Sequence, residues 1–353
     1  MVTRTPEGEA AEGGPAEVEP AEVEPAGVDP ALLRTLEAAG LPAGGHYLPT
    51  HGWVSRAWVG DDDVVRLSEG RFRDAYRHEA AVVGLLEGTE VPHAPHIAHG
   101  DGPDGPWSVS ERLPGRTLHA AWPEADLSTR RALIESLGSA LRALHQVPVP
   151  ESLRPPWLAD ALAGEQWPAY HPPVVSAAPA RVEAARRRPD HDARLLADVA
   201  AWIQDRMGLF ADDRPVLVHG DLHGSNVMVD QGRVTGLIDF AEGSAQAADA
   251  ELDTLLRWCA RSEEFPPTPG GHGLERSTLA EVPRWLHGAY PELFEREHLR
   301  ERLAVYDLTM EIAIYAHHPE PGPRSTAHGR LTRLLRGRSH LDDVMSQLDG
   351  LVE

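Results

Sequence analysis

The chain has 353 residues, 25% charged and 41% hydrophobic, enough for one large domain or two lobes with their own cores. All 33 basic residues are arginine, which excludes a Schiff-base enzyme, pyridoxal-phosphate attachment and a phosphate loop ending in Gly-Lys-Ser/Thr. The formal charge of −22 argues against a nucleic-acid binder, and the single Cys259 excludes a disulfide or a cysteine metal cluster within one chain.

Asparagine occurs once, at Asn226. Lysine and asparagine both have A-rich codons, so a GC-rich genome accounts for the bias. No apolar run approaches the roughly 18 residues that span a bilayer. The N-terminus is acidic rather than charged-then-apolar. The expectation is a cytoplasmic protein without a membrane partner.

Residues 1–28 repeat Pro-Ala-Glu-Val-Glu and read as a disordered acidic tail, too poor in apolar surface to offset ordering entropy. Asp29-Pro30 is a helix start, followed by Leu32, Leu33 and Leu36 on one face and a stop at Gly40. Strands are expected at 47–49, 53–59 and 64–67, a helix at 72–87, and two further strands at 96–100 and 107–113. Residues 29–113 thus form a small mixed lobe, and 114–353 a larger, mainly helical one. Helices are expected at 128–146, 191–208, 249–260, 275–289, 293–317 and 325–348. A β segment at 216–218, 227–229 and 234–239 interrupts them. The fold class is α+β with two lobes, and ligands bind preferentially between lobes.

The chemistry concentrates in 216–240. An apolar strand ends in the polar loop His219-Gly220-Asp221-Leu222-His223-Gly224-Ser225-Asn226, and the hairpin after it ends in Asp239. A carboxylate and an amide oxygen at a hairpin are hard ligands suited to Mg²⁺. A further carboxylate beside them orients, or takes a proton from, an attacking hydroxyl. Phosphoryl transfer needs these parts.

That loop, with Ile238-Asp239-Phe240 after it, resembles the catalytic segment of the aminoglycoside phosphotransferase and choline kinase family. The resemblance implies a protein-kinase-like fold, Asp221 as catalytic base, and Asn226 and Asp239 as holders of Mg²⁺. Glu251-Leu252-Asp253 resembles the family's motif a dozen residues on, and Leu144-His145 resembles the end of its first large helix. In the small lobe, Gly52-Trp53-Val54-Ser55-Arg56 resembles the phosphate-covering turn, which implies a nucleotide contact at Ser55. Arg66 stands where the family places a strand Lys or Arg, and Glu79 resembles its helix partner. Ser110-Glu111-Arg112-Leu113 resembles the hinge, whose backbone at Glu111 and Leu113 meets the nucleobase. The implied donor is ATP or GTP. The implied acceptor is a hydroxyl-bearing small molecule, an antibiotic by family, with acceptor contacts from 150–190 and acids such as Glu263, Asp307 and Glu311.

Rival readings are weighed against these. A metallophosphoesterase shares the Gly-Asp-x-His-Gly element but needs a second block with a metal-binding Asn, and Asn226 is already used. A metabolic kinase for a choline-, homoserine- or sugar-like alcohol is an alternative within the same chemistry. A catalytically dead kinase-like binding module is an alternative from another class. Arg66 and Glu79 have the plainer reading of a surface ion pair. His93, His96 and His99 are read as structural or solvated, since strand alternation points His96 away from the other two. Trp53 and Trp58 are read as packing, the Arg-rich 181–188 as a solvated helix face, and Asp253 as a cap or loop anchor.

Overall fold

The computed structural model describes residues 29–51, 55–68, 74–158, 175–266, 272–339 and 341–348. The expected acidic tail, residues 52–54 of the phosphate turn with Trp53, and most of the Pro-rich stretch lie outside the described residues. Helix α1 (Pro30–Ala38) starts where Asp29 accepts the Ala31 N–H at 2.9 Å and proline takes the first position. Its Leu32 and Leu36 pack with Trp58, Val65, Leu67, Trp107 and Val109 on one face of an antiparallel sheet.

That sheet contains β1 (Leu48–His51), β2 (Ser55–Val59), β3 (Asp63–Ser68), β4 (His96–Gly102) and β5 (Gly105–Glu111), in the order β1-β2-β3-β5-β4. Alternation along β3 sends Val65 and Leu67 toward α1 and Arg66 to the opposite face. Helix α2 (Ala75–Leu86) meets Arg66 there through Glu79. Trp58 packs against α1, as expected.

After the hinge come β6 (Arg116–Thr117), α3 (Leu118–Ala121) and α4 (Leu127–Leu144). Asp126 caps α4 by accepting the Thr129 N–H at 2.7 Å. Helical spacing buries Leu133, Leu137, Leu141 and Leu144 in the main core, worth about 2 kcal/mol each. Helices α5 (Ala178–Arg186) and α6 (Ala193–Arg206) lead to β7 (Val216–Val218), β8 (Val227–Asp230), β9 (Arg233–Leu237) and β10 (Ser244–Gln246). Strands β6, β8 and β9 form one small sheet, and β7 pairs with β10 in another. Helices α7 (Ala250–Ala260), α8 (Val282–Ala289), α9 (Leu299–His317), α10 (Pro321–Leu334) and α11 (Asp342–Met345) complete the large lobe. The two-residue β6 and three-residue β10 carry too little pattern for sequence to find.

Three expected helices are interrupted. The segment 275–289 divides into a 3-10 turn, Arg276–Leu279, and α8, because Pro283 fits only in a first turn. Helix α9 starts at Leu299 rather than 293, after His298 takes a left-handed backbone (φ 57°). Helix α10 ends at Leu334, and Gly337 (φ 70°) turns the chain in a conformation that a side chain disfavours. Among the described residues no helix is long and apolar enough to cross a membrane.

Candidate active site

The site is built at the ends of β7 and β9. His219, fully buried, follows β7 and locks the loop from both sides of its ring. Its Nδ1 accepts the Asp221 N–H at 3.3 Å, so Nε2 carries the proton and donates to the Ile238 carbonyl at 2.9 Å. Burial holds this imidazole below its usual pKa, consistent with a neutral ring. The Glu251 carboxylate, in the first turn of α7, accepts the N–H groups of His219 and Gly220. Gly220 has φ 82°, and a Cβ there would lie 2.4 Å from the Glu242 carbonyl oxygen. Only glycine lets the loop and the Phe240–Glu242 turn approach so closely.

This scaffold presents Asp221. Its Oδ2 lies 3.5 Å from Asn226 Nδ2 and 3.7 Å from His223 Nε2. Its Oδ1 is buried and meets no hydrogen-bonding group among the described residues. Burial pushes the Asp221 carboxyl up, but His223, His219 and Asn226 together outweigh it and hold it below the usual carboxylate range. Asn226 Nδ2 also donates to the Asp221 carbonyl at 2.8 Å, and the Asn226 carbonyl accepts the Ile238 N–H at 3.0 Å. One backbone bond thus joins Asn226 to the strand end that carries Asp239.

Asp239 has a left-handed backbone (φ 66°, ψ 62°), unusual for a non-glycine residue and strained by about 1–2 kcal/mol. The twist leaves its side chain 43% exposed and within 3.3 Å of Arg66 Nη1. Arg66 Nη2 meets Glu79, and the guanidinium lies 5.1 Å from the Tyr76 ring centre. The Tyr76 hydroxyl in turn bonds Ser55. With side chains 19% and 8% exposed, Arg66 and Glu79 form a sheltered pair, not the surface pair of the plainer reading. Burial opposes the Arg66 charge, but Glu79 and Asp239 raise its pKa and keep it cationic.

The structure therefore joins Ser55, Arg66, Glu79 and Asp239 in one chain of contacts, and Asp221 with Asn226 in another. Glu111 and Leu113 stand apart, at the hinge. The Glu111 N–H donates to Pro95 at 2.9 Å, and Leu113 packs over Gly236 of β9, where a Cβ would come within 2.2 Å. Arg56 turns toward α1 and pairs with Asp29 at 3.3 Å, away from Arg66.

Several sequence expectations are corrected. Glu251, not Asp253, anchors the loop that carries Asp221; Asp253 is buried in an ion pair with Arg257 at 2.8 Å. Asp307 and Glu311 are buried on the same cluster, with Arg257 at 3.0 and 3.5 Å, so they do not line an open acceptor pocket. Of the Arg-rich run 181–188, Arg181 turns inward, donates to the Thr309 carbonyl at 3.0 Å and lies over Trp157, while Arg186 and Arg187 are exposed as the solvated-face reading expects. A bulge between His96 and Ala98 breaks the alternation of β4 and brings His96 Nε2 within 3.0 Å of His99 Nδ1. Among the described residues no group of three or more His, Cys, Asp or Glu side chains is arranged to hold a metal.

Sequence reasoning gave no role to Glu242. Its carboxyl sits three residues past Asp239, accepts the Trp157 Nε1–H at 2.5 Å and is pushed up to about 8. Burial is the main cause, and Asp221 and Asp239 add to it. The contact with Trp157 spans 85 residues, beyond any local pattern.

The donor set fits Mg²⁺. The Asn226 amide nitrogen is spent on Asp221, which leaves its oxygen as a hard ligand, and Asp239 offers a half-exposed carboxylate at the joined strand end. Phosphate oxygens and water would supply the remaining ligands.

Residues 49–285 match the phosphotransferase enzyme family. The chain is 30% identical over 237 residues to an aminoglycoside 3'-phosphotransferase of Streptomyces fradiae, covering 64% of this chain and 74% of that protein. It is 27% identical over 169 residues to an aminoglycoside 3'-phosphotransferase of Escherichia coli, covering 47% and 56%. Among solved structures, the streptomycin–ATP complex of APH(2'')-IIa superposes with a TM-score of 0.60 at 15% identity, covering 89% of this chain and 98% of that one. APH(3'')-Id from Streptomyces rimosus, with ADP and streptomycin, gives 0.55 at 20% identity, covering 80% and 97%. These likenesses establish the protein-kinase-like fold.

Proposed function

Because this chain belongs to the phosphotransferase enzyme family, we propose that it transfers the γ-phosphoryl group of ATP or GTP to a hydroxyl of an aminoglycoside-type antibiotic, as a resistance or self-resistance enzyme. The observation that carries the reading is the join between Asp221 and Asn226 in one loop and Asp239 at the end of the hairpin that follows it. Donor and acceptor classes are supported by relatives: solved neighbours hold ATP with streptomycin, or ADP with hygromycin B.

In this reading the nucleobase meets the backbone of Glu111 and Leu113 at the hinge. Arg66, braced by Glu79, grips phosphate oxygens with a fork that does the work of the absent lysine. Ser55 contributes from the covering turn. Asn226 and Asp239 hold Mg²⁺, which when bound neutralises charge on the phosphates. Asp221 orients the acceptor hydroxyl and takes its proton, and its depressed pKa keeps it ionised at neutral pH. Positioning and charge neutralisation supply most of the rate. The reading implies a cytoplasmic enzyme, since the donor nucleotide is made there.

The test is direct. Purified protein with Mg²⁺ and ATP or GTP is offered streptomycin, hygromycin B, an aminoglycoside with a free 3'-hydroxyl, choline and homoserine. A product about 80 mass units heavier on an aminoglycoside supports the reading. A product on choline or homoserine alone moves the assignment to a metabolic kinase. No nucleotide consumption with any acceptor favours a binding module. Asp221→Asn should lower transfer about 10²–10⁴-fold while nucleotide still binds.

A further inference from the structure

We propose that His223 is a positioning residue that orients the Asp221 carboxylate toward the acceptor hydroxyl, with Phe265 holding its ring in place; this rests on the phosphotransferase reading above. The Ser225 backbone N–H points at His223 Nδ1 at 3.3 Å, so the lone pair is on Nδ1 and the proton on Nε2. Nε2 faces Asp221 Oδ2 at 3.7 Å. Asn226 Nδ2 approaches the same oxygen at 3.5 Å. Both donors therefore face Oδ2 and fix the carboxylate plane, while Oδ1 is turned into the protein.

The ring is not itself the base. One nitrogen already accepts a hydrogen bond and the other already carries a proton, so neither takes one from a hydroxyl. The acceptor O–H proton passes to the Asp221 carboxylate while the acceptor oxygen bonds to the γ-phosphorus. The bond from the γ-phosphorus to the bridging oxygen breaks, and the nucleoside diphosphate leaves with that electron pair.

Phe265 fixes the imidazole from the other side, with ring centres 5.3 Å apart and planes tilted 54°. Phe265 is buried and ends the turn Ser262–Glu264. Glu264 of that turn is gripped by Arg330 of α10 and lies 3.5 Å from Arg261. The brace on Asp221 thus runs through Phe265 to a helix more than 50 residues away in sequence. No local motif contains that link.

The experiment compares wild type with His223→Ala, His223→Gln and Phe265→Leu, on whichever aminoglycoside wild type phosphorylates. Gln keeps an N–H where Nε2 stands. We expect His223→Ala to lower kcat about 10–100-fold, with both KM values and the Kd for Mg·ATP within about twofold of wild type. His223→Gln should recover most of kcat, and Phe265→Leu should lose about threefold to tenfold. Equal loss in the Ala and Gln variants, or a loss confined to KM, overturns the positioning role. Unchanged Mg·ATP affinity shows that the variants are folded. A wild type that phosphorylates no acceptor overturns the phosphotransferase reading first, and that is measured before the variants.

Discussion

Arg66 of β3 holds two carboxylates at once, Glu79 on α2 through one terminal nitrogen and Asp239 after β9 through the other. Sequence places these three on separate elements, and the 173-residue span from Arg66 to Asp239 links the lobes. A guanidinium does this because its donors diverge in a plane; an ammonium is a single point charge. Arg66→Lys should therefore keep nucleotide use but raise the KM for ATP roughly tenfold. Arg66→Ala strands the buried Glu79 carboxylate, at a cost of about 3–5 kcal/mol, and should lose at least about 100-fold in kcat/KM. Steady-state kinetics at varied ATP check both, and an unchanged KM and turnover in the Ala variant refute the role.

Glu251 is the second brace, on the backbone that carries Asp221. Burial pushes its carboxyl up to about 8, against the pull of the His219 and Gly220 N–H groups. At pH 7 the protonated acid is well populated, and glutamine has the same shape. Glu251→Gln should keep most activity at pH 7. Glu251→Ala removes the acceptor and leaves two buried N–H groups unmet, each at about 1–3 kcal/mol. That variant should lose at least about tenfold in kcat with nucleotide affinity retained. Equal activity of the Ala variant and wild type refutes the anchor.

The contrast between Glu251 and Asp253 shows where sequence reading succeeds and where it stops. Both acids were visible two residues apart on one helix, and the motif was found. Which acid faces the loop depends on the helix's rotation against β7, a tertiary quantity that spacing does not contain. Asp221, Asn226 and Asp239 were legible because the loop and hairpin place them within 20 residues. Arg66 and Glu79 were legible only through family likeness. Glu242 with Trp157 and His223 with Phe265 were not, since their contacts depend on how distant segments pack. The His96–His99 contact failed for a smaller reason: one bulge shifts the strand's alternation by a residue.

The buried cluster of the large lobe carries stability rather than acceptor recognition. Arg257 forks onto Asp253 at 2.8 Å and reaches Asp307 at 3.0 Å, all three nearly free of solvent. Removing the cation leaves buried carboxylates without compensation, so Arg257→Met should cost about 3 kcal/mol or more. Arg131→Met breaks only the exposed pair with Glu135 and should leave the urea midpoint where it is. Urea titrations of the two variants at pH 7.5 decide. A larger fall in Arg131→Met than in Arg257→Met refutes the assignment.

His145 gives the fold a pH dependence of definite sign. It caps α4, its Nδ1 lies 3.0 Å from the Tyr290 hydroxyl, and its Nε2 is buried with no partner among the described residues. Burial, helped by the Arg296 charge, lowers its pKa from 6.5 to about 3. The folded state therefore binds this proton less readily than the unfolded chain does. The stabilising term is complete above pH 6.5 and is lost progressively as pH falls from 6.5 toward 3. By pH 5 the loss from this residue is about 2 kcal/mol. His145→Gln keeps a polar partner for Tyr290 and removes the titration. Urea midpoints of the two proteins, measured from pH 7.5 down to pH 5, should converge or cross as the wild type weakens faster. Parallel profiles would show that the imidazole charges as readily in the folded protein as in the unfolded one, and the buried neutral assignment would fall.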